Sequence, residues 1–399
     1  MTTKLGKGGT WWIGVSFFLL SMAPGLWFPA LPNILAENNI LWVKKYAYSV
    51  GPLASLISPL FFGAMADYRY SAQKLMGILS LAGAAFLGLA FVSLQLGWGA
   101  WYYLGFQMLN ALISAPMWAL LATVALSNVT DAEKKFPLFR IWGTIGWIAA
   151  GLMVSWLAWD SSAITGMVAA GVRVLVGLAC FMMPDTPPRG DKHQGDGSRW
   201  ARALGLGALG LLREKSMRVF LVTATLFSIP LAAFYMSAPL QLTVLGDSDQ
   251  AASMTWGQVT EIGAMLAIGG LLAKGRIRWL LMASLVFGLL RYVMFAYADW
   301  SGSLPWMRLG IALHGPCYTF FFVTGQMLVN RRVEPGMRNQ AQALFGTLTG
   351  GVGGLIGGYC CGRYFEASLP LVHGWVFYWS GLAMGVLGCI VYFVTAKRS

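Results

Sequence analysis

Charged residues are scarce in this chain, at 11% of its 399 positions, whereas soluble proteins carry about 25%. It has only three histidines and five cysteines, and neither shows the spacing of a metal site. The cysteines all fall within apolar segments, where small buried thiols are a better interpretation than disulfide partners. These deficits argue against a soluble protein, and we expect neither a metal nor a cofactor.

Long apolar runs dominate what is present, and hydrophobic residues make up 57% of the sequence. A helix that spans a membrane needs about 20 apolar residues, and strands would show short alternating segments instead. The sequence therefore predicts an all-α integral membrane protein with twelve spanning helices. They lie near 10–31, 43–66, 74–96, 100–127, 140–159, 162–184, 217–241, 252–273, 276–298, 303–329, 340–365 and 370–395.

Only one carboxylate lies deep inside a predicted spanning segment, and that residue is Glu261. The other acidic residues fall in loops or near segment ends. An ionisable group in hydrocarbon costs about 2.5–3.5 kcal/mol on insertion scales and usually marks a substrate or proton pathway. This pattern points to a transporter. The alternative interpretation of Glu261 is a structural ion pair with a neighbouring arginine.

The net charge of +13 reflects topology rather than a nucleic-acid partner. Most of the 28 basic residues fall on one side when successive segments are assigned alternately to the two sides of the membrane. The positive-inside rule then predicts that both termini are cytoplasmic. Lys4 and Lys7 precede the first apolar run without a cleavage site of small residues, which predicts a retained first helix.

One polar stretch divides the chain near its middle, and its Pro, Gly and charged residues indicate a linker. We predict an N-terminal six-helix half at 1–184, a cytoplasmic linker at 185–217 and a C-terminal six-helix half at 218–399. The second part of the linker could form a short helix on the membrane surface. A six-plus-six arrangement is the plan of the major facilitator superfamily, whose two halves enclose a central cavity.

Two further features suggest gating. The sequence "GAMADYRYSAQK", between segments two and three, contains Gly63, Asp67 and Arg69. It resembles a degraded form of the superfamily's cytoplasmic gating loop, where a charge-capped turn would lock one access state. The alternative is an ordinary cytoplasmic loop. In segment one, Pro24, Pro29 and Pro32 indicate kinks or an unwound end.

Short motifs occur in both halves: "GLWFPAL" (25–31), "FPLFRIWGTIGWI" (136–148), "QVTE" (258–261), "LRYVMFAYAD" (290–299), "HGPCYTFFFVTGQ" (314–326) and "RNQAQALF" (338–345). Together they resemble the nucleoside:proton symporter family, the branch of the major facilitators that includes bacterial nucleoside and xanthosine permeases. The motifs of the fifth and tenth segments are the most specific.

The resemblance implies a set of substrate-binding residues. On segment five, Arg140, Thr144 and Trp147 have the spacing of one helix face, and Gln258 and Glu261 have such a spacing on segment eight. On segment ten the resemblance implies Tyr318 and His314. Aromatic rings would stack on a base, polar groups would bind ribose hydroxyls or base edges, and Glu261 would also carry the proton.

The chain departs from the family pattern at several of these positions. Thr319 replaces the family's acid, His314 a tyrosine, and Trp147 and Tyr318 phenylalanines. Ala232 and Tyr235 replace an amide pair, and Ala122 an asparagine. These departures leave proton coupling and substrate choice open.

Several residues also have plain structural interpretations. Arg140 could be an anchor that snorkels to the membrane surface, Trp147 could be a packing residue, and His314 a satisfied interior histidine. Arg173 and Arg291 are interpreted as structural, because long basic side chains in helices often pair with backbone or helix ends.

The sequence therefore predicts an inner-membrane nucleoside transporter of bacteria, working by alternating access as a proton symporter. Its predicted partners are a nucleoside, a proton and the lipid bilayer, and it is predicted to act as a monomer. The alternative is a facilitator or symporter for another polar solute, such as a sugar or nucleobase. A membrane sensor lacks support without a soluble output domain, and a membrane enzyme lacks support without a catalytic constellation.

Overall fold

The computed structural model describes residues 7–129, 131–159, 161–189, 206–247, 250–273 and 277–396, which form helices joined by turns and contain no strand. The chain packs as two compact units. Unit 1 comprises Met1–Ala208 and Val329–Thr347, and unit 2 comprises Leu209–Leu328 and Leu348–Ser399. The predicted division at 184 and 218 stays a prediction.

The described residues in the first part of the chain form nine α-helices. Their bounds are α1 Lys7–Trp27, α2 Leu31–Glu37, α3 Lys44–Ser55, α4 Ser58–Tyr68, α5 Ala72–Gln95, α6 Ala100–Ser114, α7 Met117–Asn128, α8 Ala132–Trp156 and α9 Ile164–Met182. A break at residues 28–30 separates α1 from α2, next to Pro29 and Pro32. The predicted interruption of the first segment is therefore confirmed.

In the part of the remaining chain that the structure describes, nine more α-helices follow. They are α10 Lys215–Val244, α11 Gln250–Ala273, α12 Ile277–Ser301, α13 Leu304–Ala312, α14 His314–Tyr318, α15 Thr324–Arg331, α16 Arg338–Gly346, α17 Gly354–Ser368 and α18 Gly374–Thr395. Two short π-helices, Thr319–Val323 and Thr347–Gly353, connect α14 to α15 and α16 to α17.

Ten helical stretches in the described part of the chain are long and apolar enough to cross a membrane. The predicted segments at 252–273 and 303–329 are not among the ten. The first corresponds to α11, which is 24 residues long, and the second is divided among α13, α14, a π-helix and α15. The all-helical membrane architecture is confirmed, and the count of twelve stays a prediction.

Part of the predicted linker, at 190–205, lies outside the described residues. The predicted surface helix also begins in this part, and its described residues form a 3-10 helix at Leu206–Arg213. The next helix, α10, begins directly afterwards at Lys215.

Unit 1 is built on close contacts between its helices. Helix α1 packs on α8 and α9, while α5 packs on α6 and α9. At Gly146 of α8, a Cβ atom would lie 2.1 Å from the carbonyl oxygen of Phe18 on α1. Only glycine allows this approach, and small residues at such crossings are typical of helices packed in membranes.

In unit 2, α12 packs on α18, and α10 packs on α17 and α18. Two buried polar side chains there pair with each other. The fully buried Trp379 donates Nε1–H to Gln241 Oε1 at 2.7 Å, and Gln241 Nε2 donates to the Phe295 carbonyl at 3.1 Å. Such pairing is required because an unpaired polar group in an apolar interior is costly.

Candidate functional site

The three predicted site residues of segment five lie along α8 in unit 1. Arg140 and Thr144 are buried, with 9% and 7% of their surface exposed, and Trp147 is half-buried. Spacings of four and three residues place them successively along one helix face. The structure therefore brings this predicted set together.

Aromatic rings surround Arg140. Its guanidinium carbon lies 4.7 Å from the centre of the Trp118 ring on α7 and 6.0 Å from that of Phe17 on α1. These are cation–π distances. A snorkelling anchor would extend its charge into water. The buried position of Arg140 therefore fits a binding residue better than an anchor.

The backbone at Trp147 is held by a close approach of α1. A Cβ at Gly25 would lie 3.4 Å from both Cα and the carbonyl oxygen of Trp147, and 2.9 Å from Cβ of Ala150. The contact fixes where α8 carries the Trp147 side chain, and larger residues at position 25 would displace it.

The predicted gating residues occupy the end of α4 rather than a loop. Gly63 and Asp67 lie within the helix, which continues to Tyr68, and Arg69 follows it as an exposed residue. The predicted loop therefore begins later than the sequence suggested, because Asp67 is buried against another helix and does not need water.

Asp67 caps the N-terminus of α16. Its Oδ1 accepts hydrogen bonds from the backbone N of Asn339 at 3.3 Å and from Asn339 Nδ2 at 2.7 Å, and Oδ2 accepts from the backbone N of Gln340 at 3.0 Å. The first N–H groups of a helix have no partner within it, and a negative charge there is favourable. One carboxylate thus ties together two helices of unit 1 that are 272 residues apart in sequence.

Gly63 lies one turn before Asp67 and makes that contact possible. A Cβ at this position would lie 3.1 Å from the carbonyl oxygen of Asn339 and 3.2 Å from Cβ of Ala343. A side chain would push α4 away from α16 and lengthen the hydrogen bonds of Asp67.

In unit 2, Gln258 and Glu261 lie three residues apart on α11, and each is 8% exposed. Tyr235 of α10 is within electrostatic range of Glu261, and also of Tyr318 and Arg291. The carboxylate that the sequence singles out is thus buried in a polar neighbourhood that belongs to three other helical segments.

A proline interrupts the helix that faces α11. Pro316 has no N–H, so the carbonyl of Ala312, four residues earlier, loses its partner within the helix. Thr260 of α11 replaces that partner, because its Oγ1 donates to the Ala312 carbonyl at 2.6 Å. Freed backbone groups are commonly satisfied by hydroxyl side chains of neighbouring helices in membrane proteins.

The same two helices touch at Gly315. A Cβ there would lie 2.2 Å from both the backbone N of Glu261 and the backbone C of Thr260. Gly257, one turn before Glu261, lies against His314, and its Cβ would be 3.3 Å from that of His314. These contacts place His314 and Glu261 on adjoining surfaces of packed helices.

His314 and Tyr318 form part of an aromatic stack. The His314 ring lies 4.6 Å from the Phe234 ring, with 14° between their planes, and 5.6 Å from the Tyr318 ring. Tyr318 in turn stacks on Phe322 at 5.0 Å. Two neighbouring rings therefore stack on Tyr318.

Arg291 does not have the partners that the sequence interpretation expected. The side chain is fully buried, and it pairs with side chains rather than with backbone or helix ends. Its Nη1 lies 3.0 Å from His314 Nδ1, and its Nη2 donates to the Tyr292 hydroxyl at 2.8 Å. An arginine in the middle of an apolar segment is the same signal that identified Glu261.

Arg173 in unit 1 also departs from its predicted pairing. Its Nη1 donates to the Ser114 hydroxyl at 2.6 Å, and Ser114 belongs to a buried polar series with Asn110 and Gln107 along α6. Arg173 therefore links α9 to α6 through a side-chain hydrogen bond.

Thr319, at the position of the family's acid, begins the π-helix Thr319–Val323. It is fully buried, and its hydroxyl has no hydrogen-bond partner among the described residues. Single π-helical turns often occur at functional sites. The backbone is thus irregular where the side chain departs from the family pattern.

The chain matches a known family and known relatives over most of its length. The family model described as "Nucleoside H+ symporter" matches residues 13–396. The chain is 34% identical to YegT of Escherichia coli (strain K12), with 86% of this chain and 84% of YegT covered. It is 28% identical to the nucleoside permease NupG of the same organism, with 80% and 78% covered.

Solved structures give the same fold. The nucleoside transporter NupG superposes with a TM-score of 0.70 at 25% identity, covering 98% of this chain and 99% of that one. The fucose:proton symporter FucP of Escherichia coli gives a TM-score of 0.71 at 14% identity and supports the fold alone. The predicted major facilitator fold is confirmed, and the chain belongs to the nucleoside H+ symporter family of membrane transporters.

Proposed function

We propose that this protein carries a nucleoside together with a proton across the bacterial inner membrane by alternating access. The observation that carries the proposal is the buried carboxylate of Glu261, which lies beside the aromatic stack of His314 and Tyr318 in a chain of the nucleoside H+ symporter family. Buried carboxylates in membrane segments commonly bind protons or substrates.

The proposed substrate contacts in unit 1 are Arg140, Thr144 and Trp147. Trp147 offers a ring on which a base can stack, and Thr144 offers a hydroxyl. The guanidinium of Arg140 carries hydrogen-bond donors and no acceptor. We expect it to bind a carbonyl oxygen of the base.

The proposed site in unit 2 is formed by Gln258, Glu261 and Tyr318, which would contact the substrate, and by His314, whose ring nitrogens face Arg291 and Tyr235. The amide of Gln258 both donates and accepts hydrogen bonds, which suits a hydroxyl or a base edge. A neutral Glu261 would let the loaded site close without a bare charge in the membrane. Each proton that enters gains about 2.3 kcal/mol per 100 mV of membrane potential.

The cap that Asp67 places on α16 supports a gating role for Gly63, Asp67 and Arg69. The carboxylate accepts hydrogen bonds from backbone N–H groups that have no partner within α16. These hydrogen bonds can therefore form and break together. In the proposed cycle this contact holds in one access state and opens in the other.

Uptake into proteoliposomes tests the proposal. Radiolabelled nucleosides, nucleobases and sugars are offered under an imposed proton gradient, and we expect accumulation of a nucleoside. Glu261→Gln should abolish accumulation and retain substrate binding. Glu366→Gln is the matched control, because Glu366 forms an exposed ion pair with Arg363 at 3.1 Å. Full accumulation by Glu261→Gln would remove the coupling role from this residue.

Thr319 favours one second candidate, a nucleoside facilitator without proton coupling. A family position that usually holds an acid here holds a neutral hydroxyl. A facilitator would equilibrate a nucleoside across the membrane but never concentrate it, whatever proton gradient is imposed. Preferential uptake of a sugar or a free base in the same panel would indicate another polar solute instead.

A further inference from the structure

The contact between Arg291 and His314 fixes where the histidine carries its proton. An arginine side chain stays protonated in proteins and offers only donors. Its Nη1 lies 3.0 Å from His314 Nδ1, so Nδ1 has to accept that hydrogen bond. A neutral imidazole has one N–H, which must then be on Nε2.

The proton on Nε2 fixes the next hydrogen bond. Nε2 of His314 lies 2.9 Å from the Tyr235 hydroxyl. Because Nε2 donates, the Tyr235 oxygen accepts, and the Tyr235 proton must point to a different acceptor. With the opposite polarity, Nδ1–H of His314 would face an N–H of Arg291, which places two donors against each other.

Protonation of His314 does not provide an alternative. An imidazolium would place a second positive charge 3.0 Å from the guanidinium in a site where Arg291 is fully buried and His314 is 1% exposed. Like charges at such a distance repel strongly where water is excluded. His314 therefore stays neutral, with its single proton on Nε2. It transmits to Tyr235 the hydrogen-bond direction that Arg291 sets.

Packing keeps Arg291 in place. The guanidinium carbon lies 4.8 Å from the centre of the Phe234 ring and 4.7 Å from that of the Tyr292 ring. Nη2 donates to the Tyr292 hydroxyl, which in turn donates to the Pro230 carbonyl. The Tyr292 hydroxyl therefore accepts from Arg291 and donates to Pro230, and its hydrogen-bond direction is fixed in the same way as that of Tyr235.

Tyr235 is the member of this chain of contacts that can reach a ligand. Its side chain is 49% exposed, and it lies within electrostatic range of Glu261 and Tyr318. We infer that Tyr235 contacts the substrate as a hydrogen-bond donor, and that Arg291 and His314 are positioning residues that fix this polarity. The inference rests on the proposed function and identifies the group recognised as an acceptor, for which a carbonyl oxygen of a base is suited.

The first test requires no substrate. The full-length protein with ¹⁵N-labelled histidine is reconstituted in nanodiscs, and the His314 signals are identified by their loss in His314→Gln. We expect a neutral ring with the proton on Nε2 at every pH from about 5 to 8, where a free histidine would titrate. A proton on Nδ1, or a charged ring in this range, overturns the inference.

The second test measures binding of radiolabelled uridine, adenosine and xanthosine. Tyr235→Phe keeps the ring and removes the donor, and should weaken binding about tenfold, the upper range for one neutral hydrogen bond. Tyr297→Phe is the matched control, because Tyr297 is 42% exposed and its ring packs on Trp306 at 5.1 Å. Equal affinities of Tyr235→Phe and the wild type overturn the inference.

The double variant separates positioning from simple packing. If His314 acts through Tyr235, His314→Leu should weaken binding in the wild type and have no further effect in Tyr235→Phe, whereas additive losses contradict the relay. If His314→Leu does not fold, the tautomer and Tyr235→Phe decide. If the wild type binds none of the three nucleosides, the proposed function fails and the substrate role of Tyr235 fails with it, while the tautomer still decides the relay.

Discussion

Replacing Gly315 by alanine should separate α11 from α14 at the level of Glu261. The new Cβ would lie 2.2 Å from the backbone N of Glu261 and from the backbone C of Thr260, and an ordinary contact of 3.4 Å requires a shift of about 1.2 Å. Because both of these are backbone atoms, no side chain can move aside and the helices themselves must separate. Overpacking of this kind costs about 1–3 kcal/mol.

The shift also endangers the hydrogen bond from Thr260 to Ala312, which contributes about 0.5–1.5 kcal/mol. The total predicted loss for Gly315→Ala is about 1.5–4.5 kcal/mol in the free energy of unfolding. The uptake rate should fall even under conditions where the variant remains folded, because Glu261 moves relative to Tyr235.

The assay is unfolding by SDS titration together with uptake into proteoliposomes. Gly263→Ala is the matched control, because Gly263 lies on the same helix as Glu261 and a Cβ there meets nothing within 4 Å. It should be neutral or slightly stabilising, since alanine is the better helix former. Thr260→Val reports the hydrogen bond alone. A Gly315→Ala protein with wild-type stability and uptake would refute the close contact between the helices.

Three further predictions follow from the residues of the two units. Trp147→Ala should weaken nucleoside binding by about 1–3 kcal/mol, the scale of base–aromatic stacking, and phenylalanine should restore it; unchanged affinity would make Trp147 a packing residue. Asp67→Asn should destabilise the protein by about 0.5–1.5 kcal/mol in SDS titration, because an amide has only one acceptor oxygen where the carboxylate accepts with both, and Glu366→Gln should not. Initial uptake against pH, at clamped membrane potential, should show one titration step set by Glu261, because Thr319 cannot titrate; two resolved steps would contradict a single coupling carboxylate.

The sequence predicted the membrane architecture and the family because both depend on properties of single segments. The long apolar runs, the scarcity of acids and the excess of basic residues on one side can each be recognised without knowing any contact. The set on α8 was also predictable, since the spacing of Arg140, Thr144 and Trp147 follows from helix geometry alone.

Contacts between distant segments could not be predicted in this way. Nothing in the spacing of residues indicates that Asp67 caps α16, because its partners lie 272 and 273 residues away, and two of them are backbone N–H groups. Arg291 could be recognised as unusual but not as a partner of His314, since that depends on how α12 packs on α14. The break in segment ten could not be predicted either. It depends on Thr260, on another segment, which donates to the Ala312 carbonyl that Pro316 leaves without a partner.

The hydrogen bond from Thr260 to the Ala312 carbonyl makes two positions on different helices depend on each other in evolution. While Pro316 is present, loss of the Thr260 hydroxyl leaves a part-buried carbonyl without this partner and is costly. Once Pro316 is replaced by a residue with an N–H, the helix satisfies Ala312 itself and Thr260 is free to vary. Homologues should therefore lose the proline before the threonine, and lineages that keep the proline should keep a hydroxyl at position 260.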